Sequence, residues 1–258
     1  MNNIDLKNTI ENLINTFLEA GKIAKKISEH GVKITIKSDK SPVTDGDLAV
    51  DKILRKKIQN LTPSIPIISE ETVNLNIKNE YKDFWLIDPI DGTKDYIKKK
   101  DEYTLNAALI IDFKPAAGLI YAPGKDRLFF SYGKNLAFET SNNKTIKLNC
   151  SKKNFNEIIG LENSNNTPIE ILNIYKKYNV SKTVKMSSSL KFCILAAGEA
   201  DIYAAKARAF EWDIAAGHTI LVHAGGSMTT HDEKEFLYGK ENYKNPSIIA
   251  KRAENLEK

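Results

Sequence analysis

The side chains able to do chemistry in this chain are carboxylates placed at the ends of apolar segments. Glu70 and Glu71 follow Ile67-Ile68-Ser69. Asp88 and Asp91 follow Phe84-Trp-Leu-Ile87 and bracket Pro89-Ile90 ahead of Gly92 and Thr93. Asp213 follows Trp212 at the head of an apolar helix, and Asp45 and Asp47 precede another helix. Carboxylates are too costly to bury unpaired, so several converging from separate segments call for a cation. The chain has two cysteines, Cys150 and Cys193, and four histidines, and none clusters with these acids. Oxygen donors without thiolate or imidazole suit hard divalent ions, Mg²⁺ before Zn²⁺. One Asp ahead of a helix is ordinarily an N-cap, and Glu70-Glu71 alone would be a surface loop. The order acid-Pro-apolar-acid-Gly-hydroxyl over Asp88 to Thr93 is far more specific than either.

The elements that must carry these acids are legible from periodicity. Ile10, Leu13, Ile14, Phe17, Leu18, Gly21 and Ala24 recur at helical spacing, and Gly31 ends that helix. Val32 to Lys37 alternates as a strand, and a polar stretch, Ser38 to Pro42, follows. A second helix has Leu48, Val50, Ile53, Leu54 and Ile58 on its apolar face, with Thr44 and Asp45 as candidate N-caps. Short strands are predicted at Ile67–Ser69 and Phe84–Ile87, then at Tyr103–Ile111, Ala116–Tyr121, Leu128–Tyr132 and Ala137–Glu139, with a turn at Ser141–Asn143. Glu162 to Pro168 is the most linker-like stretch, with a helix after it through Tyr178. Leu190–Gly198 reads as helix, Ala200–Ala204 as strand and Asp213–Ala224 as helix.

Composition bounds the function. The chain has 258 residues, 41% of them hydrophobic, which suffices for one large domain or two modest ones. The net charge is +5, but the lysines are scattered, and Lys98-Lys99-Lys100 is followed at once by Asp101-Glu102. That distribution suits attraction of an anionic substrate, not a nucleic-acid interface, and no stable nucleic-acid partner is expected. No apolar run reaches the roughly 20 residues of a membrane span. The N-terminus lacks the pattern of a secretory signal. Two cysteines give no disulfide framework, so a reducing, cytoplasmic location is the default. The inner face of the cell membrane is the second location considered.

Four of these segments together resemble the inositol monophosphatase superfamily. Trp85-Leu-Ile-Asp88-Pro-Ile-Asp91-Gly-Thr93 is similar to its first signature, and Glu211-Trp212-Asp213-Ile-Ala-Ala-Gly217-His218 to its second. Ile68-Ser69-Glu70-Glu71 resembles its Glu-Glu element, and Ser41-Pro42-Val43-Thr44-Asp45-Gly46-Asp47 its N-terminal acidic loop. Thr93-Lys-Asp-Tyr-Ile-Lys, Glu102-Tyr-Thr-Leu-Asn106, Gly118-Leu-Ile-Tyr-Ala-Pro123, Ser188-Ser189-Leu-Lys191-Phe192-Cys193 and Asn245-Pro246 resemble the branch of bacterial 3′(2′),5′-bisphosphate nucleotidases of the CysQ type. Two departures stand out. Ser187 occupies a position usually held by Gly, and Lys206 to Glu211 lacks the expected Gly/Pro-rich character.

The resemblance implies a layered αβαβα sandwich of the sugar-phosphatase kind, α+β passing into α/β. Residues 1–140 would form an N-terminal half with a large antiparallel sheet and most metal ligands, and 141–258 a C-terminal half with Asp213 and the specificity segment. It implies a Mg²⁺-dependent phosphomonoesterase with two or more ions. Glu70, Asp88 and the carbonyl of Ile90 would hold the first ion, and Asp88, Asp91 and Asp213 the second. Thr93 and Asp47 would orient the attacking water, with Glu70 also counted as catalytic. The amides of Gly92 and Thr93 would receive phosphate oxygens. Substrate would thus meet Glu70, Ile90, Asp91, Gly92, Thr93 and Asp213. Ser187, Ser188, Ser189 and Lys191 are the candidates for a nucleotide and its second phosphate.

Several residues keep a plainer alternative. Lys191 could simply face solvent, Arg208 is a weaker anion contact, and Glu71 reads as a neighbouring acid. His218 and His223 read as structural histidines, and Cys193 as core. The favoured substrate is adenosine 3′,5′-bisphosphate, cleaved to AMP and phosphate. The alternatives are an inositol or sugar phosphate with the same chemistry, or a non-catalytic or RNA-associated protein. Li⁺ sensitivity and a homodimer belong to the same implication, although no interface signal is legible in the sequence.

Overall fold

Helical periodicity at the N-terminus produces α1 (Leu6–His30), capped by the Asp5 carboxylate on Asn8 N at 3.0 Å. Its buried stripe is Ile10, Leu13, Phe17, Ala20 and Ala24. The structure, a computed structural model, describes all residues except 1–3, 38–39, 78–79, 153–156, 164–165, 254–255 and 257–258. Ser38-Asp39 of the polar stretch and Ser164-Asn165 of the linker-like segment lie outside the described residues.

β1 (Ile34–Ile36) and β2 (Pro42–Thr44) form an antiparallel hairpin ahead of α2 (Asp45–Leu61). Thr44 is the N-cap of α2, in a reciprocal capping box with Asp47. Asp45 is instead the first helical residue, and its carboxylate accepts from Lys33 N at 3.0 Å. Val50, Leu54 and Ile58 are buried, but Leu48 is 53% exposed and lies off the apolar face that its spacing predicts for it.

A seven-stranded sheet follows: β3 (Ile67–Ser69), β4 (Phe84–Asp91), β5 (Thr104–Ile111), β6 (Lys114–Ala122), β7 (Arg127–Ser131), β8 (Ala137–Ser141) and β9 (Lys144–Lys147) lie side by side in chain order. All pairs are antiparallel except β3 with β4. The short helix α3 (Thr93–Ile97) interrupts the path between β4 and β5. The second sheet contains β10 (Ile158–Glu162), β11 (Val180–Lys185), β12 (Ile202–Ala205), β13 (Ser227–Thr230) and β14 (Ile248–Lys251), in the order β11-β10-β12-β14-β13. Here β10 runs parallel to β11 and β12, and β14 is antiparallel to both neighbours. Three helices accompany it: α4 (Ile169–Lys177), α5 (Leu190–Ala196) and α6 (Glu211–His223).

The layers follow from which faces are apolar. α1 and α2 pack together on one face of the large sheet, against β4 and β6, around Phe17, Leu54, Trp85 and Ile87. α5 and α6 lie between the two sheets, and α4 covers the far face of the smaller one. The result is αβαβα, as the resemblance implied. α6 is apolar nearly all round, as a helix enclosed by two sheets must be. Gly217 makes the contact with α5 possible, since a Cβ there would lie 2.5 Å from Phe192 Cβ.

Candidate active site

The acids meet because their elements end at the same place. β3 delivers Glu70 and β4 delivers Asp88 and Asp91, while α6, lying across that sheet, delivers Asp213 in its first turn. One carboxylate oxygen from each of Glu70, Asp88 and Asp213 lies within 4.8 Å of the others. Asp88 is 1% exposed. Its Oδ1 is buried without a hydrogen-bond partner among the described residues. Asp91 accepts from the backbone N of Ser189, and Asp213 accepts from Phe210 N at 2.8 Å.

Burial is the largest influence on Asp88, Asp91 and Asp213. It raises all three above the ordinary carboxylate range, and their mutual repulsion and that of Glu70 add to it. For Asp91, the Lys191 charge and the Ser189 bonds work the other way. Three buried acids raised by burial and by neighbouring carboxylates, in a pocket of oxygen donors, fit a hard divalent cation, and the orphaned Asp88 oxygen points to the same chemistry.

Asp47 and Thr93 come together although they are 46 residues apart: Thr93 Oγ1 lies 3.3 Å from Asp47 Oδ1 and 3.1 Å from the Ile90 carbonyl. The other Asp47 oxygen accepts from Thr44 N at 2.8 Å and Thr44 Oγ1 at 2.5 Å, so the helix cap fixes this carboxylate. Burial raises the Asp47 pKa against those hydrogen bonds. Gly92, with φ +91°, turns the chain from β4 into α3, a left-handed conformation that glycine adopts without strain.

The site opens into a cleft of about 720 Å³ that also contains Ser187, Ser188, Ser189 and Lys191. Lys191 is 4% exposed, which excludes the solvent-facing alternative. Its Nζ donates to the Ser188 carbonyl and, at 3.4 Å, to that of Met186, and it sits 5.3 Å from the Tyr203 ring centroid. Burial lowers its pKa to about 8, with Asp91 pulling the other way. Ser189 Oγ contacts Asn106 Oδ1 at 2.8 Å and Thr104 Oγ1 at 2.9 Å. Ser187 is tied to Glu102, with N to Oε2 at 3.0 Å and its hydroxyl 3.3 Å from the same oxygen. Arg208 lines the cleft as an exposed side chain.

Sequence reasoning missed Lys37. Its Nζ lies 2.9 Å from Oε1 of both Glu70 and Glu71. Burial acts to lower its pKa, but the two acids outweigh burial and raise it. Glu71 is thereby a paired acid beside the cluster, raised to about 7 chiefly by burial. Glu211 stands apart from the acids. It accepts from Gly239 N and Lys240 N, each at 2.9 Å, and pairs with Lys240 Nζ at 2.7 Å, pinning a loop onto α6. His218 Nδ1 meets Tyr238 Oη at 2.8 Å, and burial lowers its pKa to about 3, as suits a structural histidine. His223 is buried too, with Nδ1 unpartnered among the described residues. Cys193 is core.

A family model described as the inositol monophosphatase family matches residues 5–258. The 3′(2′),5′-bisphosphate nucleotidase CysQ of Buchnera aphidicola is 37% identical over 242 residues, 89% of this chain and 90% of that protein. The enzyme of the same name from Salmonella typhimurium is 34% identical over 215 residues, 82% of this chain and 86% of its own. Among solved structures, CysQ from Bacteroides thetaiotaomicron, a bacterial member of the inositol monophosphatase family, superposes with a TM-score of 0.78 at 28% identity, covering 96% of this chain and 97% of its own.

Proposed function

The chain belongs to the inositol monophosphatase family, and from that premise we propose that it is a Mg²⁺-dependent phosphomonoesterase acting on adenosine 3′,5′-bisphosphate to give AMP and phosphate. The observation that carries this is one cleft with two poles. Glu70, Asp88, Asp91 and Asp213 demand a cation, and in the same cleft buried Lys191, whose charge acts on Asp91, offers one beside Ser188 and Ser189. A bisphosphate ester has a phosphate for each pole. The CysQ enzymes to which the chain is similar carry bisphosphate nucleotidase names, which supports the nucleotide over the inositol or sugar phosphate.

In this reading Glu70, Asp88 and the Ile90 carbonyl would hold one Mg²⁺, and Asp88, Asp91 and Asp213 a second. Bound there, the ions supply Lewis acidity toward the phosphate and acidify a water molecule. The chain's own residues do the rest. Asp47, immobilised by its cap, holds the Thr93 hydroxyl, and that pair orients the water for attack. The Gly92–Thr93 turn amides receive phosphate oxygens. Lys191 and the serines bind the phosphate that is not cleaved. Residues from both proposed halves, 1–140 and 141–258, line the cleft. A small phosphate ester is the partner, and Li⁺ competing for the second ion position would inhibit. Among the described residues no helix is long and apolar enough to cross a membrane.

Phosphate release from adenosine 3′,5′-bisphosphate and from inositol 1-phosphate, each with Mg²⁺ and with chelator, tests the proposal. Mg²⁺-dependent release that favours the bisphosphate supports it. Preference for inositol 1-phosphate would move the assignment to the alternative substrate class, and no release from either would overturn it.

A further inference from the structure

Two buried polar atoms lack partners on the same strip of the large sheet. Asp88 and Asn106 are directly opposite in the β4–β5 ladder. Opposed side chains of an antiparallel pair stand on one face, with Cβ atoms about 4.5–5.5 Å apart. Both residues are 1% exposed. Among the described residues Asp88 Oδ1 and Asn106 Nδ2 have no hydrogen-bond partner. Orphans this deep are rare, and these two are complementary, an acceptor and an amide donor.

The other end of the Asn106 amide is engaged. Its Oδ1 accepts from Ser189 Oγ at 2.8 Å, and the same hydroxyl lies 2.9 Å from Thr104 Oγ1. Ser189 N in turn donates to Asp91. Asn106 therefore stands between the acids of β4 and the segment that carries Lys191. Other side chains do this worse. Leu would offer Asp88 no donor and leave the Ser189 hydroxyl with Thr104 alone, and Asp would add negative charge to an already repulsive group.

We propose that Asn106 is a positioning residue for the Asp88 carboxylate: its Nδ2, unpartnered among the described residues, is the donor that Asp88 takes up when a cation is held, and its Oδ1, through Ser189, couples that carboxylate to the substrate segment. The inference rests on the proposed role of Asp88 as a metal ligand. Groups that orient a ligating carboxylate typically change metal affinity 10- to 100-fold when removed.

The test is calorimetric titration of Mg²⁺ into the wild-type chain, Asn106→Ala, Ser189→Ala and the double variant, with thermal melts of each in chelator. Asn106→Ala is expected to bind Mg²⁺ at least about tenfold more weakly. Ser189→Ala should bind roughly two- to tenfold more weakly, and the double variant no more weakly than Asn106→Ala alone, because Ser189 acts through Asn106. A lowered melting temperature with unchanged Mg²⁺ affinity would mean a structural role only and would overturn the proposal. Losses that multiply in the double variant would overturn the coupling through Ser189. If Asn106→Ala does not fold, Ser189→Ala leaves the Asn106 side chain in place, and unchanged affinity in it is equally fatal. No Mg²⁺ binding by the wild-type chain would refute the metal assignment itself, and the proposal with it.

Discussion

Replacing Lys191 by Met separates the two poles of the cleft. Met keeps most of the side chain's length and removes the ammonium, which stands over the Tyr203 ring. Lys191 is buried with a pKa of about 8, so it is roughly nine-tenths protonated at pH 7 and offers a nearly full charge to an incoming phosphate. A charge-assisted hydrogen bond to phosphate is worth about 1.5–3 kcal/mol. That converts to a loss of roughly 10- to 150-fold in kcat/KM for adenosine 3′,5′-bisphosphate. The variant also removes the donor to the Ser188 and Met186 carbonyls and the attraction to Asp91. Those losses act on any substrate and should reduce inositol 1-phosphate turnover only a few-fold. The pH arm has a definite sign. Deprotonation above about 8 removes the cation, so the ratio of bisphosphate to inositol 1-phosphate kcat/KM should fall as pH rises from 7 to 9. In Lys191→Met the ratio should be low and flat. Steady-state phosphate release on both substrates across that range is the assay. Equal losses on both substrates, or a wild-type ratio independent of pH, would refute the assignment of Lys191 to the second phosphate.

Three further outcomes are expected. Asp88→Asn should lower Mg²⁺-dependent kcat/KM by about 10³-fold or more, while Glu71→Gln, which alters a side chain paired with Lys37, should cost under about tenfold; similar losses would reject the bridging role of Asp88. Burial raises Asp47, Asp88, Asp91 and Asp213 in the folded chain. An acid raised on folding destabilises once ionised, so metal-free stability should fall as pH climbs above about 4 through those raised values. The rise in melting temperature on adding Mg²⁺ should therefore be larger at pH 8 than at pH 5, and a constant rise would contradict this origin. Gly217→Ala would place a Cβ 2.5 Å from Phe192 Cβ in a packed interface; overpacking of about 1–3 kcal/mol should lower the melting temperature by roughly 2–10 °C, and an unchanged melt would mean that α5 can shift freely.

What the sequence makes legible follows one physical rule: local signals are readable, and long-range partners are not. The Thr44 cap and the apolar stripe of α1 depend on residues within a turn or two of one another, and each forms where periodicity and capping place it, whereas β4 runs on through Asp91, past the Ile87 at which the predicted strand ends. Leu48 shows the limit of periodicity, since it satisfies the helical spacing of α2 yet faces solvent. Apolar spacing states which residues share a face, but only tertiary packing decides how wide the buried face is.

Lys37 shows a different limit. Nothing in Lys37-Ser-Asp-Lys40 separates it from the other lysines, and its partners Glu70 and Glu71 lie 33 and 34 residues away. Lys191 has two readings from sequence, and burial removes the solvent-facing one, because a lysine ammonium stays buried only with acceptors and charge around it. Glu211 stands in the same signature as Asp213 yet points at the Gly239–Lys240 backbone and not at the acids. A signature mixes residues kept for chemistry with residues kept to hold the element in place. In α6 one turn does both: Asp213 joins Glu70 and Asp88, and Glu211 holds the Gly239–Lys240 loop.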